Sequence, residues 1–95
     1  MTYEQLVPDF MRAVYETGLH SGGRAQVEQI MLRLGLNVSS VVDIRKPTTE
    51  DDRLYMNLAR YCEEKHYIER KADRYVWVRI TDTGKQYVES GFREL

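Results

Sequence analysis

A chain of 95 residues with 42% hydrophobic and 31% charged side chains has the composition of one globular domain, which we expect to span residues 1–95. It lacks an apolar run of the roughly 18 residues that a membrane-spanning helix requires, and its start, MTYEQLVPDF, does not resemble a signal peptide. A lone cysteine cannot form an internal disulfide, so we expect a reducing compartment, most simply the cytoplasm.

The net charge of −1 hides an uneven distribution of charge along the chain. Residues 1–44 carry three basic and five acidic side chains, whereas residues 65–79 carry five basic and two acidic ones. The second segment therefore has a local charge of +3, and an anionic partner would meet that segment first.

Apolar residues recur at helical spacing in two stretches near the N-terminus, which predicts helices over about 3–17 and 24–34. Pro8 either kinks the first helix or marks its regular start. Residues 36–48 fit a short strand or a short helix, because their β-branched side chains favour the strand and Ser39 would cap the helix.

A third helix is predicted over about 49–65, because Thr48 or Thr49 supplies a hydroxyl cap and three acidic residues follow at the positive end of the helix dipole. Apolar spacing predicts that one face of this helix is buried, namely Leu54, Leu58, Tyr61 and Cys62. The opposite face carries Arg53, Asn57 and Arg60.

A β-hairpin is predicted over 67–81, with a turn at Ala72-Asp73-Arg74. Alternation along its second strand puts Val76, Val78 and Ile80 on one face and Tyr75, Trp77 and Arg79 on the other. We expect Trp77 to pack against the first or the last helix, and a reversed strand would instead bury it in the core. Thr81 or Asp82 then caps a last helix over about 82–90.

Two segments resemble known motifs: YCEEKHYIER at 61–70 and VRITDTGKQYVESG at 78–91. They are similar to the winged-helix pattern Leu-Glu-x-x-Gly-hydrophobic-Ile-x-Arg, followed by a wing strand and the ending hydrophobic-Thr-x-x-Gly-x-x-hydrophobic. MarR-, PadR- and ArsR-type regulators carry versions of both. The small size, LGL at 34–36 and the ending VESG also resemble small winged-helix proteins of Mu-like prophages. The chain departs from the pattern at His66, where many relatives have Gly, and in its long connection before the third helix.

The resemblance implies a single winged helix-turn-helix domain, mainly α with a small antiparallel β-hairpin. It further implies a small bacterial or phage transcriptional regulator that binds double-stranded DNA, without enzymatic activity or a cofactor, and that forms a homodimer through its first and last helices. Side chains that can read base edges lie on helix 49–65: Arg53, Asn57 and Arg60. Those that can hold phosphates or enter the minor groove lie at the wing tip: Arg70, Lys71 and Arg74.

A second register stays open for the DNA contact. The stretch VEQIMLRLGLNVSSVVDIRK at 27–46 resembles a helix-turn-helix twenty-mer. Its recognition helix would cover about 39–46 and present four polar residues: Ser39, Ser40, Arg45 and Lys46.

A winged-helix module that binds a protein partner and not DNA is the alternative function, with RNA binding as a lesser one. The near-neutral charge favours the protein partner, and so do Glu50, Asp51 and Asp52 at the start of helix 49–65, because carboxylates repel phosphates. The partner would contact Tyr75 and Trp77.

Cys62 and His66 stand four residues apart on one helix face, a spacing that suits two metal ligands. Two ligands without a second cysteine are a weak zinc signal. We therefore expect a core cysteine and a histidine at a helix end, and no metal site.

Overall fold

The computed structural model describes residues 6–36, 49–71 and 74–93, and only the backbone at residues 71 and 74–76. This part of the chain contains four helices and a three-stranded antiparallel sheet, so the protein is mainly helical, as predicted. None of the described helices is long and apolar enough to cross a membrane. The elements in chain order are α1 (Val7–Gly18), β1 (Arg24–Gln26), α2 (Val27–Arg33), α3 (Glu50–Glu64), β2 (Ile68–Lys71), β3 (Arg74–Ile80) and α4 (Asp82–Glu89).

The predicted start of the second helix is wrong, because residues 24–26 form strand β1. This strand pairs with β3, which lies in the middle of the sheet between β1 and β2. Ala25 is fully buried opposite Val78, and the carbonyl of Gly23 extends the pairing by accepting the N–H of Ile80 at 2.9 Å. The free edge of β3 thus gains partners for its backbone groups, which a helix over 24–26 would leave unpaired.

Helix α1 begins at Val7, with Pro8 in its first turn. Pro8 therefore marks the regular start of the helix, where its missing N–H removes no helical hydrogen bond. Residues 3–5 of the predicted helix, and residues 37–48 between α2 and α3, lie outside the described residues.

Helix α3 begins as predicted, with Thr49 as its cap. The Asp52 N–H donates to the Thr49 hydroxyl at 3.1 Å. Leu58 and Cys62 are fully buried, while Leu54 and Tyr61 are half-buried. The buried face is wider than predicted, since four further residues belong to it: Asp52, Tyr55, Met56 and Ala59.

The end of α3 makes the same turn as the ends of α2 and α4, in which the residue after the cap is left-handed. Gly35 and Gly91 fill that position after α2 and α4, with φ of 74° and 80°, and His66 fills it after α3, with φ of 63°. The N–H groups of His66 and Tyr67 donate to the carbonyls of Glu63 and Cys62, each at 2.9 Å. This pair of bonds is a Schellman motif, which glycine normally completes.

The Thr-x-x-Gly-x-x-Tyr segment at 81–87 fastens α4 to the end of α3. The Thr81 hydroxyl accepts the N–H of Gly84 at 3.0 Å and donates to the carbonyl of His66, while the Thr81 N–H donates to the carbonyl of Tyr67 at 3.0 Å. The rings of Tyr67 and Tyr87 stack with their centroids 4.4 Å apart. The predicted cap at Thr81 is thus confirmed, and the same residue also joins two elements.

Replacing His66 by glycine should stabilise the protein. A left-handed residue with a side chain costs roughly 1–2 kcal/mol, and the greater freedom of glycine in the unfolded chain offsets up to about 1 kcal/mol of that gain. We expect His66→Gly to raise the Tm by a few degrees in thermal denaturation, following a net gain of about 1 kcal/mol. Gly35→Ala is the matched control, because among the described residues no atom beyond its chain neighbours lies within 4 Å of the added methyl group, and the φ of 74° opposes the substitution. The control should lower the Tm, and an equal response of both variants would contradict the backbone explanation.

Adding a methyl group at Gly84 should destabilise the protein strongly. The new carbon atom would overlap the carbonyl oxygen of Tyr67 and lie 2.9 Å from Cγ1 of Ile80. We expect Gly84→Ala to lower the free energy of unfolding by about 3 kcal/mol in urea denaturation, because backbone must shift to admit the carbon. Lys85→Ala, on the exposed side of the same helix, should change it by less than about 0.5 kcal/mol. A Gly84→Ala variant as stable as Lys85→Ala would show that this contact is loose.

Candidate nucleic-acid interface

The outward face of α3 carries the three residues predicted to read bases. Arg53, Asn57 and Arg60 are all exposed, and their spacing places them on one side of the helix. Two guanidinium groups and one amide can donate hydrogen bonds to the base edges of a major groove. Glu64, also exposed, lies four residues beyond Arg60 and adds a carboxylate at the far end of this face.

The three acidic residues at the start of α3 point in different directions. Asp52 is only 1% exposed, Asp51 is half-buried and Glu50 is exposed. One of the three carboxylates is therefore turned away from the outward face. The periodicity of the helix contained this signal, because Asp52 precedes the buried Tyr55 and Met56 by three and four residues.

An ion pair connects strand β2 to α3. Nε of Arg70 lies 3.0 Å from a carboxylate oxygen of Glu63, and their side chains are 40% and 30% exposed. Because Glu63 is three residues after Arg60, strand β2 lies next to the outward face of the helix. The ion pair also offsets part of the positive charge of residues 65–79.

The other predicted contacts are described in part or lie outside the described residues. Lys71 and Arg74 face each other as paired backbone positions of β2 and β3, and nothing is described of their side chains or that of Tyr75. The residues of the alternative register lie outside the described ranges, namely Ser39, Ser40, Arg45 and Lys46.

Trp77 does not pack against the first or last helix, and it is not in the core. Its side chain is 40% exposed, on the face of β3 opposite to the buried Val78 and Ile80. The predicted alternation of Val78 and Ile80 against Trp77 and Arg79 is therefore confirmed, whereas the predicted packing of Trp77 is wrong. Alternation assigns a residue to a face but does not tell whether another element covers that face.

Cys62 is a core residue and His66 is an exposed residue at a helix end. Burial raises the pKa of the Cys62 thiol from 9.0 to about 12. Among the described residues, no group of three or more histidine, cysteine, aspartate and glutamate side chains is placed to hold a metal ion. The thiol of Cys62 therefore stays protonated and packed against apolar neighbours at neutral pH.

Comparisons of the chain with protein-family models, with curated proteins and with solved structures found no match. The chemistry of this surface therefore rests on its own residues: two arginines and an asparagine on α3, and an arginine on β2 that is paired with Glu63.

The buried thiol should make stability depend on pH above about 9. The folded protein holds the Cys62 proton up to about pH 12, while the unfolded chain loses it from about pH 9. Between these values we expect the free energy of unfolding to fall by about 1.4 kcal/mol per pH unit because of this group. Urea denaturation at several pH values would measure the slope.

Cys62→Ala is the control for the other groups that titrate at high pH. It should be less stable than the wild type at pH 7, since it leaves a cavity in the core. The difference in stability between the two proteins should then shrink as the pH rises above 9. A constant difference would contradict the burial of the thiol.

Proposed function

We propose that this protein is a winged-helix DNA-binding protein, and that it acts as a small bacterial or phage transcriptional regulator. The order of its elements supports a winged-helix arrangement, because three helices precede the hairpin β2–β3 and one helix follows it. The hairpin begins directly after α3, so the helix and the wing are neighbours in both sequence and space.

The observation that carries the proposal is the joining of two surfaces by the pair Glu63–Arg70. It brings strand β2 beside the outward face of α3, where Arg53, Asn57 and Arg60 are exposed. One duplex can then meet both surfaces, with the α3 side chains in the major groove and the wing on the adjacent backbone. A homodimer would present two such surfaces to a two-fold symmetric site.

The acidic residues of α3 limit the affinity that this surface can have. Glu50 and Glu64 lie at its two ends, and Glu63 competes with phosphate for Arg70. A half-exposed ion pair contributes only about 1 kcal/mol or less, so a phosphate group can replace Glu63 at a small cost. The same pairing favours the second candidate function, a winged-helix module that binds a protein, because it leaves less positive charge for DNA.

A salt titration with a fluorescent mixed-sequence duplex tests the proposal. We expect micromolar binding or better at low salt, which weakens steeply as salt is added. Arg53→Ala/Arg60→Ala should weaken binding about tenfold or more, and Arg70→Glu/Arg74→Glu should abolish it. Glu63→Gln should strengthen binding severalfold, because it removes the carboxylate that pairs with Arg70 and repels phosphate.

Arg33→Ala is the control, since Arg33 is an exposed arginine on α2 whose guanidinium lies 2.8 Å from Glu16. It should bind DNA like the wild type. If Arg45→Ala weakens specific binding and Arg60→Ala does not, the recognition helix is the one at 39–46. If the wild-type protein does not bind at low salt, DNA binding is wrong and the protein-binding module remains.

A further inference from the structure

The outward face of the sheet is chemically different from the surface of α3. Arg24 of β1 and Glu69 of β2 are both paired with Arg79 of the central strand β3, so the three side chains form one row across the sheet. Trp77 stands two residues along β3 on the same face, opposite Gln26. We call this surface the sheet face: Arg24, Gln26, Glu69, Trp77 and Arg79.

Arg24 and Arg79 are two like charges placed directly side by side. Opposed residues on neighbouring antiparallel strands have Cβ atoms roughly 5 Å apart, and like charges at such positions are destabilising. Both side chains are exposed, and neither has an ion-pair partner among the residues that the structure describes. Glu69 stands opposite Arg79 on its other side and offsets part of this repulsion, whereas no acidic residue is paired with Arg24 in the described sheet. An anionic partner at Arg24 would relieve the repulsion that remains.

Trp77 adds an apolar contact next to this charge pair. It is 40% exposed, and it lines a shallow depression of about 400 Å³ together with Arg24, Glu69, Arg70 and Arg79. Tryptophan and arginine are the side chains that contribute most often to the centre of protein interfaces. A carboxylate can bridge the two guanidinium groups while an apolar side chain covers the indole ring.

We propose that the sheet face binds a short acidic segment of another protein. The proposal does not depend on DNA binding, because it uses the opposite face of the sheet from the one that packs on the helices. Three strands about 4.8 Å apart, of which β1 has three residues and β2 four, form a patch much smaller than the roughly 800 Å² per partner of a stable protein–protein interface. A short segment therefore fits better than a second folded copy of this chain.

Single-stranded nucleic acid would also bring negative charge and a flat ring to Trp77. The carboxylate of Glu69 lies in the same row as the two arginines and would repel a run of phosphates. A peptide avoids this conflict, because its backbone N–H groups or a basic side chain can contact Glu69 while its own carboxylates contact Arg24 and Arg79. The row of charges therefore favours an acidic peptide.

Fluorescence of Trp77, the one tryptophan in the chain, provides the test. The full chain would be titrated at low salt with the synthetic peptide acetyl-EELDEFED-amide, with the charge-reversed acetyl-KKLRKFKR-amide, and with a short oligothymidylate. We expect the acidic peptide alone to cause a saturable change in emission, with a Kd of about 100 µM or lower. Binding of the basic peptide with equal affinity, or of the oligothymidylate in place of the acidic peptide, would overturn the proposal.

Arg24→Glu separates binding from folding. It should weaken the binding of the acidic peptide about tenfold or more, because it removes one of the two arginines that contact the carboxylate. It should also raise the Tm of the free protein by about 2–4 °C, since a pair of opposite charges replaces a pair of like charges. Unchanged peptide affinity, or a lowered Tm, would contradict the proposed role of the pair.

Arg53→Glu is the matched charge reversal on α3, and it separates the two proposed functions. It should leave the affinity for the acidic peptide within about twofold of the wild type, and it should weaken the binding of duplex DNA. Arg24→Glu should weaken peptide binding and leave DNA binding within about twofold of the wild type. The two variants therefore test peptide binding and DNA binding separately. Loss of peptide binding in Arg53→Glu to the same extent as in Arg24→Glu would show a general charge effect and overturn the sheet face as the site.

Discussion

The carbonyl group of Tyr67 is the contact on which the relative positions of three elements depend. It follows the left-handed turn at His66, accepts the N–H of Thr81 at 3.0 Å and lies against the backbone of Gly84. The end of α3, the start of β2 and the start of α4 are therefore held at one backbone group. Any side chain at position 84 would force these elements apart, because the space that it needs is already filled by main-chain atoms.

Both proposed surfaces depend on the direction in which β2 leaves this point. Side chains alternate along the strand, so Ile68 enters the core, Glu69 points outward and Arg70 lies on the side of α3. Arg70 thereby meets Glu63, whereas Glu69 joins the row of Arg24 and Arg79. A strand shifted by one residue would exchange these two groups and remove both surfaces at once.

The sequence predicted best the features that depend on residues close together in the chain. The caps at Thr49 and Thr81 act over three residues, and the alternation of Trp77 with Val78 acts over one. Strand β1 was missed because an alternation of only three residues is too short to indicate a strand, and the apolar spacing of α2 can be extended backwards over them. The partners of β1 on β3 are distant in sequence, so only the folded chain brings Arg24 beside Arg79.

The candidate interface also contains features that depend on residues close together in the chain, which were predicted, and features that depend on contacts between elements, which were not. The exposure of Arg53, Asn57 and Arg60 was predicted, because amphipathic spacing within one helix determines it. The pairing of Glu63 with Arg70 was not, since it joins two elements across the turn at His66. The helical spacing of Asp52 with Tyr55 and Met56 predicts that Asp52 is buried. This was overlooked, because the helix dipole already explains an acidic residue in a first helical turn.

The two proposed surfaces, one on α3 and β2 and the other on the sheet face, differ in what a negatively charged partner must do. On β2, a phosphate group would have to replace Glu63 on Arg70, so the proposed DNA binding would begin by breaking an existing ion pair. On the sheet face, a carboxylate meets Arg24 and Arg79 already in mutual repulsion, so binding begins by relieving it. The net charge of −1 describes the whole chain and does not show this difference between the two surfaces. The local arrangement of each arginine determines which anion it can hold, and it makes the sheet face the surface where few contacts suffice, whereas DNA would need many.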